Sequence, residues 1–143
     1  MLLAAVADRL KSAATPPLTS ISGGEDLAAL AEGTAPGDHA AFVLPFSKVA
    51  SPNERMNGPP LQTLAITFLV AVCVRRHGDA KGEARIAATD AIDAALEGAL
   101  LGWVPPGDHD PVTLVGVRSQ PAKNGVLWHV STWATARTIE GSS

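Results

Sequence analysis

The sequence predicts an α+β domain: a mainly antiparallel sheet of about four strands with helices on one face, in the order α-α-β-β-α-β-β. Three observations lead there. Apolar residues recur at helical spacing at the N-terminus and again over residues 81–101. Residues 61–76, LQTLAITFLVAVCVRR, alternate over a length far beyond a mean strand of about 5–6 residues. Two further strand-like runs, 112–118 and 126–137, meet through Asn124-Gly125, a hairpin signal.

Each element has a local reason. Leu2, Leu3, Val6 and Leu10 share one face of a helix over residues 2–14, and Asp8, Arg9 and Lys11 lie on the other. Thr15-Pro16-Pro17 ends it, because proline disfavours helical geometry in the residue before it. Ser22 stands three residues before Glu25, a capping-box spacing that predicts a second, short helix ending at Gly33. AAFVLPF (40–46) reads as a short strand, with Pro45 placing it at an edge. Residues 47–60, SKVASPNERMNGPP, then read as a loop. Loops longer than about 12–15 residues are uncommon in compact domains and are usually functional or disordered.

The long strand has two unlike faces. Leu64, Ile66, Phe68, Val70, Val72 and Val74 point toward a core, while Thr63, Ala65, Thr67, Leu69, Ala71 and Cys73 face a neighbouring subunit or a thin layer of solvent. In the following helix, Asp79 is the N-cap and Gly102 the stop. Ala84, Ala88, Ile92, Ala95, Leu96 and Ala99 form its buried face. Glu83, Asp90, Asp93 and Glu97 cluster opposite, with Ile86 out of place among them. Trp103, Trp128 and Trp133 are expected in the core or half-buried.

The bulk numbers narrow the function classes. At 143 residues, one domain spanning 1–143 is expected. The net charge is −3 and charged residues make up 17%, against about 25% in ordinary folded domains. No basic stripe points to nucleic acid. An alanine-rich surface of low charge suits burial against partner subunits. The lone Cys73 excludes an internal disulfide and reads as a small buried thiol. The N-terminus lacks the basic leader and continuous apolar run of a signal peptide, and no apolar run reaches about 18 residues, so a soluble cytosolic chain without membrane contact is expected.

Candidate chemistry is thin. PGDH occurs twice, at 36–39 and 106–109, and a shared metal site of a small hydrolase using His39 and His109 is conceivable. Pro-Gly is also the signature of a type II turn whose Asp bonds local backbone, and that reading is preferred. A trio of Ser131, His129 and Asp110 lacks any nucleophile elbow. No phosphate loop or dinucleotide fingerprint is present. No catalytic residue, metal ligand or cofactor is assigned, and the chain is read as a non-enzyme. The acidic helix face is ordinarily a solvated one. Its sharper reading is a subunit interface in which Asp90, Asp93 and Glu97 meet Arg75, Arg76 or Arg137.

The ordered features resemble a known family. An N-terminal amphipathic helix leads to AAFVLPF, then to an Asn/Pro/Gly loop and LQTLAITFLVAVCVR; a helix ending ALLGWVPP, a strand VTLVGVR and a final strand VLWHVSTWATAR follow. This pattern is similar to the tail terminator, or tail completion, proteins of long-tailed bacteriophages, prophages and gene-transfer particles. The resemblance implies a structural virion protein, without cofactor, made in the host cytoplasm. It implies a ring, usually a hexamer, at the head-proximal end of the tail tube. The ring ends tube polymerisation and joins the tube protein to a neck or head-closure protein, and DNA passes its lumen without sequence-specific contact. Asn53, Glu54, Arg55, Met56 and Asn57 would then reach the tube or a ring neighbour. Another neck component, a head-closure or connector protein, is the nearest alternative.

Overall fold

The computed structural model describes residues 2–24, 37–75, 83–122 and 125–142. Among them are two helices, α1 (Leu2–Ala13) and α2 (Glu83–Leu100). Five strands accompany them: β1 (Ser20–Gly23), β2 (Ala40–Ala50), β3 (Leu61–Arg75), β4 (Thr113–Pro121) and β5 (Val126–Glu140). They form one sheet in the order β1-β2-β3-β5-β4. The β1–β2 pair is parallel and the other pairs are antiparallel. The sheet is therefore mixed and five-stranded, where four strands were expected.

The added strand replaces the start of an expected helix. Ser22 is not an N-cap: it lies in β1, opposite Phe42, and Gly23 lies opposite Val43. A short capping pattern is a weak local preference, and here the parallel ladder with β2 and the packing of Ile21 on the core override it. The remainder of that expected helix lies outside the described residues.

Both helices lie on one face of the sheet. Val6 and Leu10 of α1 and Ala88, Ile92, Leu96 and Ala99 of α2 are buried with Phe68, Val70, Val72 and Val74 of β3, and Trp133 of β5 completes the cluster. Burying each leucine- or phenylalanine-sized side chain is worth about 1.5–3 kcal/mol. Arg9 locks the two helices together. Its Nε donates to the Ala99 carbonyl at 2.8 Å, and its guanidinium lies 6.0 Å from the centre of the Trp103 ring. Ile86 is 60% exposed, as its place on the acidic side of the helix predicts. No described helix is long and apolar enough to cross a membrane.

The opposite face divides in two. Leu69, Ala71 and Cys73 are buried with Leu44, Val126, Trp128 and Val130, and Phe42 meets Trp128 edge-on at 5.9 Å. The chain itself thus closes the part of this face that was expected to await a neighbour. Burial pushes the Cys73 thiol pKa up, only partly offset by the nearby Arg75 charge, so the thiol stays neutral. On the rest of that face Ala65 is exposed and Thr63 and Thr67 are half-buried.

Candidate functional site

The sheet outruns its core. β2 is buried from Ala40 to Leu44 apart from half-buried Phe42, and exposed from Pro45 to Ala50; β3 is half-open from Leu61 to Ala65 and buried from Phe68 to Val74. The ladder nevertheless continues unbroken into the open part. Ser47 to Ala50 pair with Thr67 to Leu64, and Arg137 to Glu140 of β5 pair with Leu64 to Leu61. Three strands therefore form an arm that no helix covers on its outer portion. A sequence reading that ends β2 at Phe46 misses half of it. The register shift between Pro45 and Ser47 explains why: a bulge at Phe46 absorbs the irregularity and the strand resumes. Pro45 costs no hydrogen bond there, because β1 pairs only as far as Val43.

The loop at the arm's end spans 51–60 rather than 47–60, and it is fastened. The Asn53 side-chain Oδ1 accepts from the backbone N–H groups of Arg55 (3.1 Å) and Leu61 (2.9 Å). The Glu54 N–H donates to the Leu61 carbonyl at 2.8 Å. The Arg55 guanidinium donates to the Pro59 carbonyl and pairs with Glu140 at the end of β5. The Gly141 N–H donates to the Pro60 carbonyl, and a Cβ at Gly141 would meet the Pro60 ring at 2.9 Å, so glycine permits this close approach. Gly58 turns the chain at φ 84°. Asn53 and Arg55 thus shape the loop, while Glu54, Met56 and Asn57 face solvent. Met56 is 99% exposed. Immobilising a loop whose largest apolar side chain is wholly in water has no reward within the subunit.

The acidic face separates by residue. Asp90 and Glu97 are exposed. Asp93 is engaged inside the subunit: its Oδ1 lies 2.6 Å from His129 Nε2, and His129 Nδ1 lies 3.0 Å from Ser119 Oγ. This chain of contacts ties α2 through β5 to the outer strand β4. Alternation hints at it, because His129 and Ser131 stand on the same face of β5 as the core residue Trp133, and a polar side chain there needs a partner. The partner lies 36 residues away, beyond any local pattern.

The basic candidates do not converge. Arg75 closes β3 at the end remote from the loop, where its N–H donates to Asp38 Oδ1 at 2.8 Å. Arg137 lies near the loop, opposite Leu64 and bridged to His109. Arg76 lies outside the described residues.

The other candidate chemistry dissolves. His39 donates its backbone N–H to the Cys73 carbonyl, whereas His109 stands opposite Arg137 in a β-bridge. Cys73 lies opposite Trp128 of β5, which is about 30 Å from Arg137 at roughly 3.3 Å per residue, so His39 and His109 share no site. The second segment is the expected turn, with Gly107 at φ 90°. In the first, Asp38 reaches across to β3, where its Oδ1 accepts from the Arg75 N–H. Ser131 accepts from Trp133 Nε1 at 2.7 Å, and Asp110 serves through its backbone, so the imagined trio is not assembled. No group of three or more metal-ligating side chains is found among the described residues.

A fastened arm that projects beyond the core is the geometry of an assembly component, and family comparison decides which kind. The family model described as phage tail terminator protein matches residues 1–142. The chain belongs to the phage tail terminator family. It is a structural protein of phage tails. Among solved structures, this chain is similar to a chain of the virion of a native gene transfer agent particle, at 19% identity and a TM-score of 0.60, over 98% of this chain and 95% of that one. At such identity the likeness establishes a common fold. No curated protein matches this chain in sequence.

Proposed function

We propose that the chain forms a homo-oligomeric ring, a hexamer by family expectation, at the head-proximal end of a tail tube. There it stops tube growth and offers its other side to the neck or head-closure protein, with DNA passing through the lumen. The observation that carries this reading is the arm: a sheet extension uncovered on its outer portion and fastened at its tip, with Phe46, Val49 and Met56 exposed. A closed ring requires two unlike patches on each subunit. The arm supplies one, and the body of the neighbouring subunit supplies the other. Asp90 and Glu97 are free to set register against a basic neighbour, whereas Asp93 contributes indirectly, by seating α2. The role is structural rather than enzymatic, and assembly takes place in the host cytoplasm.

Negative-stain microscopy of the purified chain mixed with tail tubes tests the reading. Rings seated on one end of each tube, with tube growth halted, are expected. Rings that bind portals and leave tubes growing would move the chain to a head-closure or connector role.

A further inference from the structure

On the helix side of the sheet, where the arm leaves the body, Leu2 and Leu3 of α1 face Pro45, Phe46, Lys48 and Ile66 across an apolar groove of about 460 Å³. Phe46 is 65% exposed at its rim. We infer that this groove receives the Met56 tip of a second copy of this chain, in a head-to-tail contact that repeats around the ring.

Four features of the molecule select that occupant. The arm's tip presents Met56, the most exposed of the large apolar side chains among the described residues. An unbranched thioether side chain adapts to an irregular apolar groove. The groove is roomy enough for the methionine and part of the turn that carries it. Knob and groove also belong to one continuous hairpin, since β2 and β3 pair without a break from Ala41 to Ala50 apart from the single bulge. The paired strands hold them at a fixed separation: about 17 Å from Ile66 to Leu61 at roughly 3.3 Å per residue, plus the loop. A chain cannot fold its own tip back into its own groove, so the occupant must come from another copy.

The offset also has a suitable size. With Glu54 bonded to Leu61, the tip adds at most about 7 Å, and the resulting offset of about 24 Å is well over half the width of one domain of this length, roughly 30–40 Å from the usual scaling of the radius of gyration. A knob displaced from its hole along the subunit is the arrangement that propagates from neighbour to neighbour. The charges agree as well. Lys48 stands on the groove wall and Glu54 stands two residues from Met56, so docking brings opposite charges together at the rim. This inference rests on the ring reading above and specifies which surfaces meet.

Cysteine pairing in the full chain tests it. In a Cys73→Ala background, Met56→Cys and Leu3→Cys chains are purified separately, mixed at millimolar concentration and oxidised. A disulfide-linked dimer is expected only from the mixture. The double variant Met56→Cys/Leu3→Cys should give a ladder that ends in a closed ring, whereas a product that stops at the dimer would overturn the head-to-tail contact. In the unlinked protein, Met56→Glu should weaken association about tenfold or more while Met56→Leu keeps it, and both should melt with the parent because the side chain is fully in solvent. Rings that persist in the microscope without any Met56–Leu3 link would overturn this inference and leave the ring reading intact. A chain that is monomeric and unlinked would count against both.

Discussion

The two ends of the sheet follow different rules. At the end built from Ala40–Leu44, Phe68–Val74 and Val126–Trp133, both faces are covered: the helices close one, and Trp128, Phe42 and Leu44 close the other. At the other end, the same three strands continue with identical backbone pairing but almost no packing, and polar contacts hold the loop. The free energy of folding resides at the covered end. Burial sustains the first region, and the ladder borrows that stability to extend the second. The arm is rigid because it is continuous with the core, not because it has a core of its own.

The largest expected effect lies at the covered end. Phe68 is fully buried between the helices and Trp133, and Phe68→Ala should cost about 3–5 kcal/mol in chemical denaturation. A loss below about 1 kcal/mol would mean that this end is not the stabilising one. A middle-sized effect is expected at the tether between layers. Asp93→Ala strips a partner from His129, whose side chain is only 6% exposed, and should cost about 1–3 kcal/mol. The same variant should raise hydrogen exchange in α2 and β4 and leave residues 51–60 unchanged. If the loop loosened instead, the two regions would not be independent.

Much of the covered end was legible in the chain. The period of Ala88, Ile92, Leu96 and Ala99 gives the buried face of α2, and Ile86 is exposed as its position implies. The alternation of Phe68, Val70, Val72 and Val74 gives the helix-facing side of β3. Local patterns work there because each element buries one face, and burial has a periodicity. The misses are non-local. β1 is four residues long and becomes a strand only through β2. The continuation of β2 beyond Phe46 is hidden by a proline and a bulge that look like an ending. The opposite face of β3 looks suited to a neighbour because its residues are small, yet Trp128 and Phe42 lie across it. Of the candidate site, the loop was legible as unusual, and its fastening was not. Arg55 and Glu140 are 85 residues apart, and nothing local to either announces the pair.

The central claim is that the uncovered end of the sheet is retained for assembly. Deleting residues 53–58 removes the tip together with the Asn53 and Arg55 contacts while sparing the buried core. The exposed Arg55–Glu140 pair is worth little in water, so most of the cost should be in neutral loop hydrogen bonds, and the loss of stability should stay within about 1–2 kcal/mol, far below that of Phe68→Ala. The deciding measurement is negative-stain microscopy of tail tubes assembled with this folded deletion variant. Tubes without end rings, growing beyond their normal length, are the predicted result; normally capped tubes of normal length would contradict the account.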